Sequence, residues 1–406
     1  MTVMPSLLQI NSTVGFGSTG KIVQDLQSHT RAHGWKSYAA CGWNANQCGK
    51  DIYELKPKWE KFLHGASTRL FDNHGFGSPI ATKRLIHFIR GIEPNVIHLH
   101  NLHGYYLNLE VLLTFLHSSS IPTIMTLHDC WPFTGHCCHF ESSGCNRWTD
   151  TCGLCPEKAE YPKSIWFDRS RQNFIKKKEL FSKLDNLVLV PVSAWMNKNL
   201  DRSFLSRFER RVILNGIDVS VFDQANFSSD EQRHRSTRPI VLGVARAWGR
   251  KKGLDDFIGL SKKLAGNANI VLIGVDPREA RKLPENVTTI NGIEDQMELA
   301  RWYSRAAVFV NPTKDESFGL TNVESLACGT PVVTYDSGGA RETVDKATGV
   351  VVKRGQVDDL YEAVCSILQQ DKKTFSRACR NRAVRYFSRQ HQNEKYEALY
   401  KDILHG

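Results

Sequence analysis

The chain reads KDESFGLTNVE over Lys314–Glu324. An apolar run, AAVFV, precedes this stretch at Ala306–Val310 and stops at Asn311-Pro312, so we predict a buried strand there. The sequence SLACGT follows, and its glycine and the next proline are typical of a helix end, after which Pro331–Tyr335 has the pattern of another strand. The quoted stretch is therefore predicted to be the loop between a strand and a helix whose N-terminus lies near Gly319.

This predicted loop carries the chemistry of an anion site. The free amides and the positive end of a helix N-terminus favour phosphate. Glu316 lies before the turn and Glu324 about one helical turn into the helix, so one could reach a sugar and the other a ribose. A solvated Glu324 on an ordinary surface helix is the alternative, because an E-x7-E pair by itself is common by chance. The Phe318-Gly319 insert and the strand–loop–helix setting favour the functional interpretation.

The composition is that of a globular protein with two or three domains. Among 406 residues, 41% are hydrophobic, and 53 Lys and Arg against 42 Asp and Glu give a net charge of +11. That charge suits an anionic ligand, a nucleic acid or an acidic membrane face. We expect no membrane-spanning helix and no signal peptide, and hence a cytoplasmic protein. The eleven cysteines are then expected to be reduced, as core residues or metal ligands.

Short apolar runs alternate with helical patterns along the whole chain, which predicts an α/β fold with parallel sheets. There are too many strands for one open sheet, so we predict two doubly wound, Rossmann-like domains that face each other across a cleft. The predicted domains are 1–214 and 215–387, with 388–406 crossing back to the first. The predicted strands are Leu7–Ile10, Ser37–Cys41, Val96–His100, Thr123–Leu127, Leu187–Val192, Arg211–Leu214, Ile240–Val244, Ile270–Gly274, Val287–Ile290, Ala307–Val310, Pro331–Tyr335 and Val350–Val352.

A glycine-rich turn follows the first predicted strand and reads NSTVGFGSTGK over Asn11–Lys21. Gly15, Gly20 and Lys21 match the P-loop pattern, but Ile22 replaces the hydroxyl residue that would hold magnesium. We favour a turn that lets a ligand approach the backbone. A P-loop and a purely structural turn are the alternatives.

Histidines collect at the predicted carboxyl ends of two strands, where ligands of such sheets bind. His98, His100 and His103 surround the end of one strand and could be metal ligands, although nothing in their spacing ensures that they converge. His128, followed by an acid, is the better functional candidate, and a hydrogen-bonded structural histidine is its alternative.

A cysteine cluster follows His128. Cys137, Cys145, Cys152 and Cys155 fit a tetrahedral structural zinc site, since the last two form a C-x2-C pair. Disulfide pairing or reduced cysteines packed by Trp148 are the alternatives, and Cys130, Cys138 and His139 offer competing ligands.

Basic residues follow the strand predicted at Ile240–Val244. Arg246 and Lys252 could neutralise a diphosphate leaving group there, whereas a solvated basic loop is the alternative. No D-x-D motif occurs in the sequence, so nothing indicates an aspartate-held catalytic metal.

With these motifs assembled, the chain resembles the retaining glycosyltransferases of family 4, which have the GT-B fold. The resemblance spans nearly the whole length. Its motifs are GSTGK ending at Lys21, HLHN ending at Asn101, His128-Asp129, Asn215–Asp218, Arg246 with Lys252-Gly253, Glu316-x7-Glu324 and Gly329–Val333. The segment Thr126–Pro156 is similar to the subgroup that builds bacterial exopolysaccharides, such as colanic acid, and O-antigen chains of lipopolysaccharide.

The resemblance implies roles for individual residues. Glu316 would contact the donor sugar and Glu324 the ribose, while His128 would lie against the donor sugar and Gly17 would let donor and acceptor approach. The diphosphate would be held by the amides of Phe318, Gly319 and Leu320 together with Arg246 and Lys252. Lys251 beside Lys252 makes the phosphate lysine ambiguous by one residue.

The resemblance also implies an activity. It is metal-independent transfer of a sugar from a nucleotide-diphosphate sugar to a lipid-linked oligosaccharide at the inner membrane, with no nucleic acid as partner. The basic residues Lys56, Lys58, Lys61 and Arg69, with Trp59 and Phe62, could contact that membrane, although a solvated helix is the simpler interpretation. A phosphotransferase using Lys21 and a zinc-containing nucleic-acid-binding protein are the alternatives from other classes.

Overall fold

The computed structural model describes residues 4–43, 51–228 and 238–405. These residues form two compact units. The first domain comprises residues 1–213 and 393–406, and the second comprises residues 214–392. The polar stretch around Ser228–Thr237 lies almost wholly outside the described residues.

The first domain is built on a seven-stranded sheet in which every neighbouring pair is parallel. Its spatial order is β3-β2-β1-β4-β5-β6-β7. The strands are β1 Ser6–Thr13, β2 Lys36–Trp43, β3 Ile52–Glu54, β4 Val96–Leu99, β5 Thr123–Leu127, β6 Leu187–Pro191 and β7 Glu209–Arg210. The helices are α1 Gly17–Ala32, α2 Lys58–Phe71, α3 Pro79–Ile92, α4 Leu109–Ser118, α5 Ser170–Ser182 and α6 Ala194–Leu200.

The second domain repeats this plan with a six-stranded parallel sheet in the order β10-β9-β8-β11-β12-β13. Its strands are β8 Ile240–Val244, β9 Asn269–Ile273, β10 Val287–Ile290, β11 Val308–Asn311, β12 Val332–Tyr335 and β13 Gly349–Val352. The helices are α7 Leu254–Lys263, α8 Pro277–Ala280, α9 Gln296–Arg305, α10 Leu320–Ala327, α11 Val357–Leu368 and α12 Lys373–Phe387. In both sheets the order reverses beside the first strand, and the loops at the carboxyl ends there are the usual ligand sites of this architecture.

The last helix, α13 Arg389–His405, begins in the second domain and continues into the first. Its Tyr396 and Tyr400 are buried in an apolar cluster with Leu7 and Ile22. A break at Ser388, which forms a backbone bridge with Ile217, separates α13 from α12.

The sequence analysis misses one strand and misplaces another. The three-residue β3 was not predicted, because Ile52–Glu54 is too short to show an alternating pattern. The strand predicted at Arg211–Leu214 is assigned instead at Glu209–Arg210. The Arg211 amide still donates a hydrogen bond to Leu189 O (3.0 Å) and the Ile213 amide to Pro191 O (3.3 Å), which extends the contact with β6.

Candidate active site

The loop between β11 and α10 holds the residues quoted first from the sequence. Gly319 lies just before the helix with φ +98°, a conformation that glycine adopts without strain. A Cβ at this position would lie 3.3 Å from Ala340 Cα. The amide of Gly339 donates to Glu316 O at 2.9 Å, so the glycine turn at Ser337–Gly339 supports this loop. The helix N-terminus predicted near Gly319 is confirmed.

Lys252 and Glu316 form an ion pair at this loop. The distance from Lys252 Nζ to Glu316 Oε2 is 2.8 Å, and both side chains are partly exposed. Lys251 contacts a different residue, since its Nζ lies 3.2 Å from the buried Asp315 carboxylate. Of the two lysines that the sequence could not distinguish, Lys252 is therefore the one beside Glu316.

A glycine makes this ion pair possible. Lys252 ends a short 3-10 turn after β8, and the next residue, Gly253, has φ +77°. A Cβ on Gly253 would lie 2.4 Å from Pro312 O in the loop after β11. Any larger residue would push the two loops apart, and with them Lys252 and Glu316.

Glu324 lies one turn into α10 and accepts a hydrogen bond from the Tyr303 hydroxyl at 3.0 Å. Burial, followed by the charge of Glu324, raises the pKa of Tyr303 well above its usual value, so Tyr303 remains a donor. Sequence reasoning missed Tyr303, because it comes from α9 and no motif connects it to the loop. Arg246, by contrast, is an exposed residue two positions after β8.

In the first domain, the turn after β1 is not a P-loop. Helix α1 begins at Gly17, so most of the residues between Gly15 and Gly20, which would form the loop around a phosphate, are already helical. Gly20 O accepts from the Gly15 amide at 2.8 Å, and Lys21 is exposed. The alternative of a phosphotransferase that uses Lys21 is therefore wrong. Gly17 has φ +70°, in the left-handed region that favours glycine, and its role beside donor and acceptor stays a prediction.

His128 follows β5 and stacks on His100, with Nε2 3.1 Å from His100 Nδ1. Burial lowers the pKa of His128 to about 4, even though the charge of Asp129 favours protonation. His128 is therefore neutral at pH 7 and available for hydrogen bonding.

The three histidines considered as metal ligands do not converge. His98 is buried inside β4, where its ring nitrogens lie 2.7 Å from Tyr400 Oη and 2.7 Å from Thr126 Oγ1. His103 lies apart and pairs with Asp129 at 2.6 Å. Burial raises the pKa of Asp129, but the charge and hydrogen bond of His103, with the charge of His139 and the Trp131 amide, together outweigh burial and bring the pKa to about 2. This His103–Asp129 pair was not predicted, because 26 residues separate its members.

The cysteine loop shows free thiols, and all ten cysteines of the described part of the chain are unbridged. A thiol hydrogen bond joins Cys137 and Cys155, raising the pKa of Cys137 and lowering that of Cys155. Cys152 Sγ accepts from the Gly135 amide at 3.2 Å. Within the described ranges, two groups have three candidate ligand atoms within 4.8 Å of one another: His103, Asp129 and Cys138, and His29, His33 and Glu397. The predicted zinc set of Cys137, Cys145, Cys152 and Cys155 is not one of them and stays a prediction.

The sequence is similar to a known protein family and to a full-length relative. The family model described as glycosyl transferases group 1 matches residues 225–385. The chain is 26% identical over 435 aligned residues to a protein of Escherichia coli K12 named as the colanic acid biosynthesis glycosyl transferase WcaC, with 98% of this chain and 100% of that protein covered.

Two solved structures share the fold. Sucrose-phosphate synthase from Thermosynechococcus elongatus has a TM-score of 0.69 at 19% identity, with 98% of this chain and 99% of that chain covered. Anabaena HepE in complex with UDP has a TM-score of 0.67 at 14% identity, with 98% and 100% covered.

The two Rossmann-like domains and these shared folds define a protein of the GT-B class. Residues 225–385 match the group 1 glycosyl transferases, and the chain is similar over almost its whole length to a glycosyl transferase of colanic acid biosynthesis, in agreement with the resemblance that its motifs indicated.

Among the residues that the structure describes, no helix is both long enough and apolar enough to cross a membrane.

Proposed function

We propose that this protein transfers a sugar, with retention of anomeric configuration, from a nucleotide-diphosphate sugar to a lipid-linked oligosaccharide during assembly of a bacterial surface polysaccharide. The reaction takes place at the cytoplasmic face of the inner membrane and uses no catalytic metal. The match of residues 225–385 to the group 1 glycosyl transferases supports the transfer. The name of the Escherichia coli relative supports a role in polysaccharide assembly. The UDP bound in the Anabaena structure supports a nucleotide-linked donor.

The observation that carries this proposal is the Lys252–Glu316 ion pair at the N-terminus of α10. The two side chains neutralise each other's charge. A diphosphate held by the amides of Phe318, Gly319 and Leu320 would attract the Lys252 ammonium. Glu316 would then be released to accept hydrogen bonds from the donor sugar, while Glu324 holds the ribose.

The same groups account for the chemistry. The bond between the anomeric carbon and the diphosphate oxygen breaks while the acceptor oxygen bonds to that carbon on the same face. Arg246 and Lys252 stabilise the charge that develops on the leaving diphosphate. A phosphate oxygen of that group takes the acceptor hydroxyl proton, so no carboxylate base is needed. Because its lowered pKa keeps His128 neutral at pH 7, this side chain can offer a hydrogen bond but is not charged to donate a proton.

The test is thermal unfolding of the purified protein with UDP, GDP, ADP and ATP, each with and without magnesium. A ligand at one hundred times its Kd should stabilise the protein by about 2.7 kcal/mol. We expect stabilisation by one nucleoside diphosphate, independent of magnesium and lost in Glu324→Ala. Stabilisation that requires magnesium, or that survives Glu324→Ala, would contradict the proposal.

The stereochemistry is tested on the product. With a sugar donor that carries the nucleoside diphosphate identified by this panel, the anomeric coupling constant of the product, measured by NMR, should show the configuration of the donor. Inversion would contradict the mechanism.

A further inference from the structure

Helix α2 has its polar side turned inward and its apolar side turned outward. Its buried residues are Glu60, Lys61, His64 and Thr68. On the outer side, Trp59 is 55% exposed, Phe62 68% and Leu63 60%. A surface helix of a globular protein normally has the opposite arrangement, with its apolar stripe on the core. The exposed stripe therefore indicates a surface that binds something apolar.

The buried polar side chains fix this orientation. The Glu60 carboxylate accepts from the amides of Ile80 (2.9 Å) and Ala81 (2.7 Å), which begin α3. His64 Nε2 accepts from the Gly75 amide at 3.1 Å. Turning the apolar face inward would break these buried hydrogen bonds and leave their donors unsatisfied. The exposure is thus a property of the folded domain.

Lys61 reinforces this arrangement. The sequence interpretation placed it on a basic surface with Lys56 and Lys58, but it is buried. Its ammonium donates to Gly42 O and lies 4.6 Å from the centre of the Trp43 ring.

A second segment extends the apolar surface beyond the C-terminus of α2. Ile165, Trp166 and Phe167 are consecutive and all exposed. The Ile165 amide donates to Arg69 O at 2.7 Å. The rings of Phe71 and Phe167 lie 5.7 Å apart. We call the exposed set Trp59, Phe62, Leu63, Phe71, Ile165, Trp166 and Phe167 the apolar face.

Positive charge surrounds the apolar face. The exposed basic residues in the same two segments are Lys56, Lys58, Arg69, Lys163 and Arg169. Trp and Phe flanked by Lys and Arg form the composition that binds the interface of an anionic bilayer. A symmetric dimer through this face would instead bring like charges together. Charge complementarity thus favours lipid over a second copy of the chain.

We propose that the apolar face docks onto an anionic membrane surface, with α2 lying in the headgroup region and the aromatic rings reaching the acyl boundary. The basic residues contact the lipid phosphates. The membrane-binding surface is argued independently of the proposed function. The role of docking rests on the proposed function, since docking would bring the enzyme to a lipid-linked acceptor.

The test is co-sedimentation of the full chain with vesicles of equal parts phosphatidylethanolamine and phosphatidylglycerol. We expect binding to these vesicles, weaker binding at high salt, and little binding to phosphatidylcholine vesicles. The double variant Phe62→Ser and Trp166→Ser should lower the partition coefficient by at least about tenfold. The matched control is Val384→Ser with Tyr386→Ser, which removes two exposed apolar side chains of the second domain and should leave binding unchanged.

Several outcomes would overturn the proposal. The first is that the double variant Phe62→Ser and Trp166→Ser binds the anionic vesicles as well as the wild type does, while its thermal midpoint shows that it is folded. The second is that the wild-type protein does not bind anionic vesicles. The third is that the wild-type protein forms a concentration-dependent dimer and the double variant does not, which would assign the apolar face to contact with a second copy of the chain. A second measurement uses brominated lipids, which should quench less fluorescence in Trp59→Phe and Trp166→Phe. Stabilisation by the nucleotide should be equal in all these proteins, so failure of docking is distinguishable from failure of the proposed function.

Discussion

Lys251 and Lys252 are adjacent in sequence but hold different carboxylates, and this difference gives the sharpest prediction at the scale of single residues. Lys252→Ala should weaken binding of the stabilising nucleoside diphosphate by about tenfold to a hundredfold, because a charged hydrogen bond contributes about 1.5–3 kcal/mol. Lys251→Ala should have a much smaller effect, since its partner is the buried Asp315. Isothermal titration calorimetry of both variants is the measurement. Equal losses, or a greater loss in Lys251→Ala, would contradict the assignment.

Gly319 offers a second prediction for a single position. Gly319→Ala should lower the free energy of unfolding by about 1–2 kcal/mol, because its φ of +98° is strained for any residue with a Cβ. It should also weaken nucleotide binding, because the new methyl group would press on Ala340.

The matched control for Gly319 is Gly266→Ala. Gly266 has φ +86°, but a Cβ added there would have no neighbouring atom within 4 Å, so its substitution should cost similar stability and leave nucleotide binding intact. Urea unfolding and calorimetry on both variants test this. Intact nucleotide binding in Gly319→Ala would argue against a phosphate at this helix end.

At the scale of elements, the C-terminal helix α13 depends on two buried tyrosines. Tyr400→Phe should destabilise the protein by about 1–3 kcal/mol, because it leaves the buried His98 Nδ1 without its 2.7 Å partner. Tyr386→Phe, in which the hydroxyl of a half-exposed ring is removed, is the control and should change little. Urea unfolding measures both. No loss in Tyr400→Phe would show that packing alone holds α13.

At the scale of the whole molecule, the buried histidines of the first domain predict acid sensitivity. Burial lowers the pKa of His64 and of His128 to about 4, against 6.5 in an unfolded chain. The unfolded state therefore binds more protons between these values, and stability present above pH 6.5 is lost as the pH falls towards 4. For His64 alone, the free energy of unfolding falls by about 3 kcal/mol over this range.

Hydrogen exchange read by mass spectrometry can locate this loss. After correction for intrinsic rates, amides of the first domain should lose protection between pH 6.5 and 4, and those of the second domain should lose less. Among the described residues of the second domain, His391 is the one histidine. An equal loss in both domains would show that other groups dominate.

Much of the fold could be predicted from local pattern. Apolar runs such as Ile240–Val244 and Thr123–Leu127 appear as strands at the predicted residues. The helix start near Gly319 also followed from sequence, because glycine and helix-stop signals act over a few residues. The short strand β3 could not be predicted, because three residues are too few to show the hydrophobic alternation of a strand.

The sequence by itself determined two parallel sheets and the loops that carry the candidate site, because hydrophobic period and glycine positions are local and parallel strands put their carboxyl ends at one edge. The tertiary structure alone decided that Lys252 faces Glu316, that His98 supports α13, that His103 pairs with Asp129, and that α2 buries Lys61 and exposes Trp59. These arrangements depend on partners far away in the chain. The amides of α3 and the carbonyl of Gly42 determine which face of α2 turns inward. These partners lie outside α2, so the sequence pattern of α2 does not reveal them.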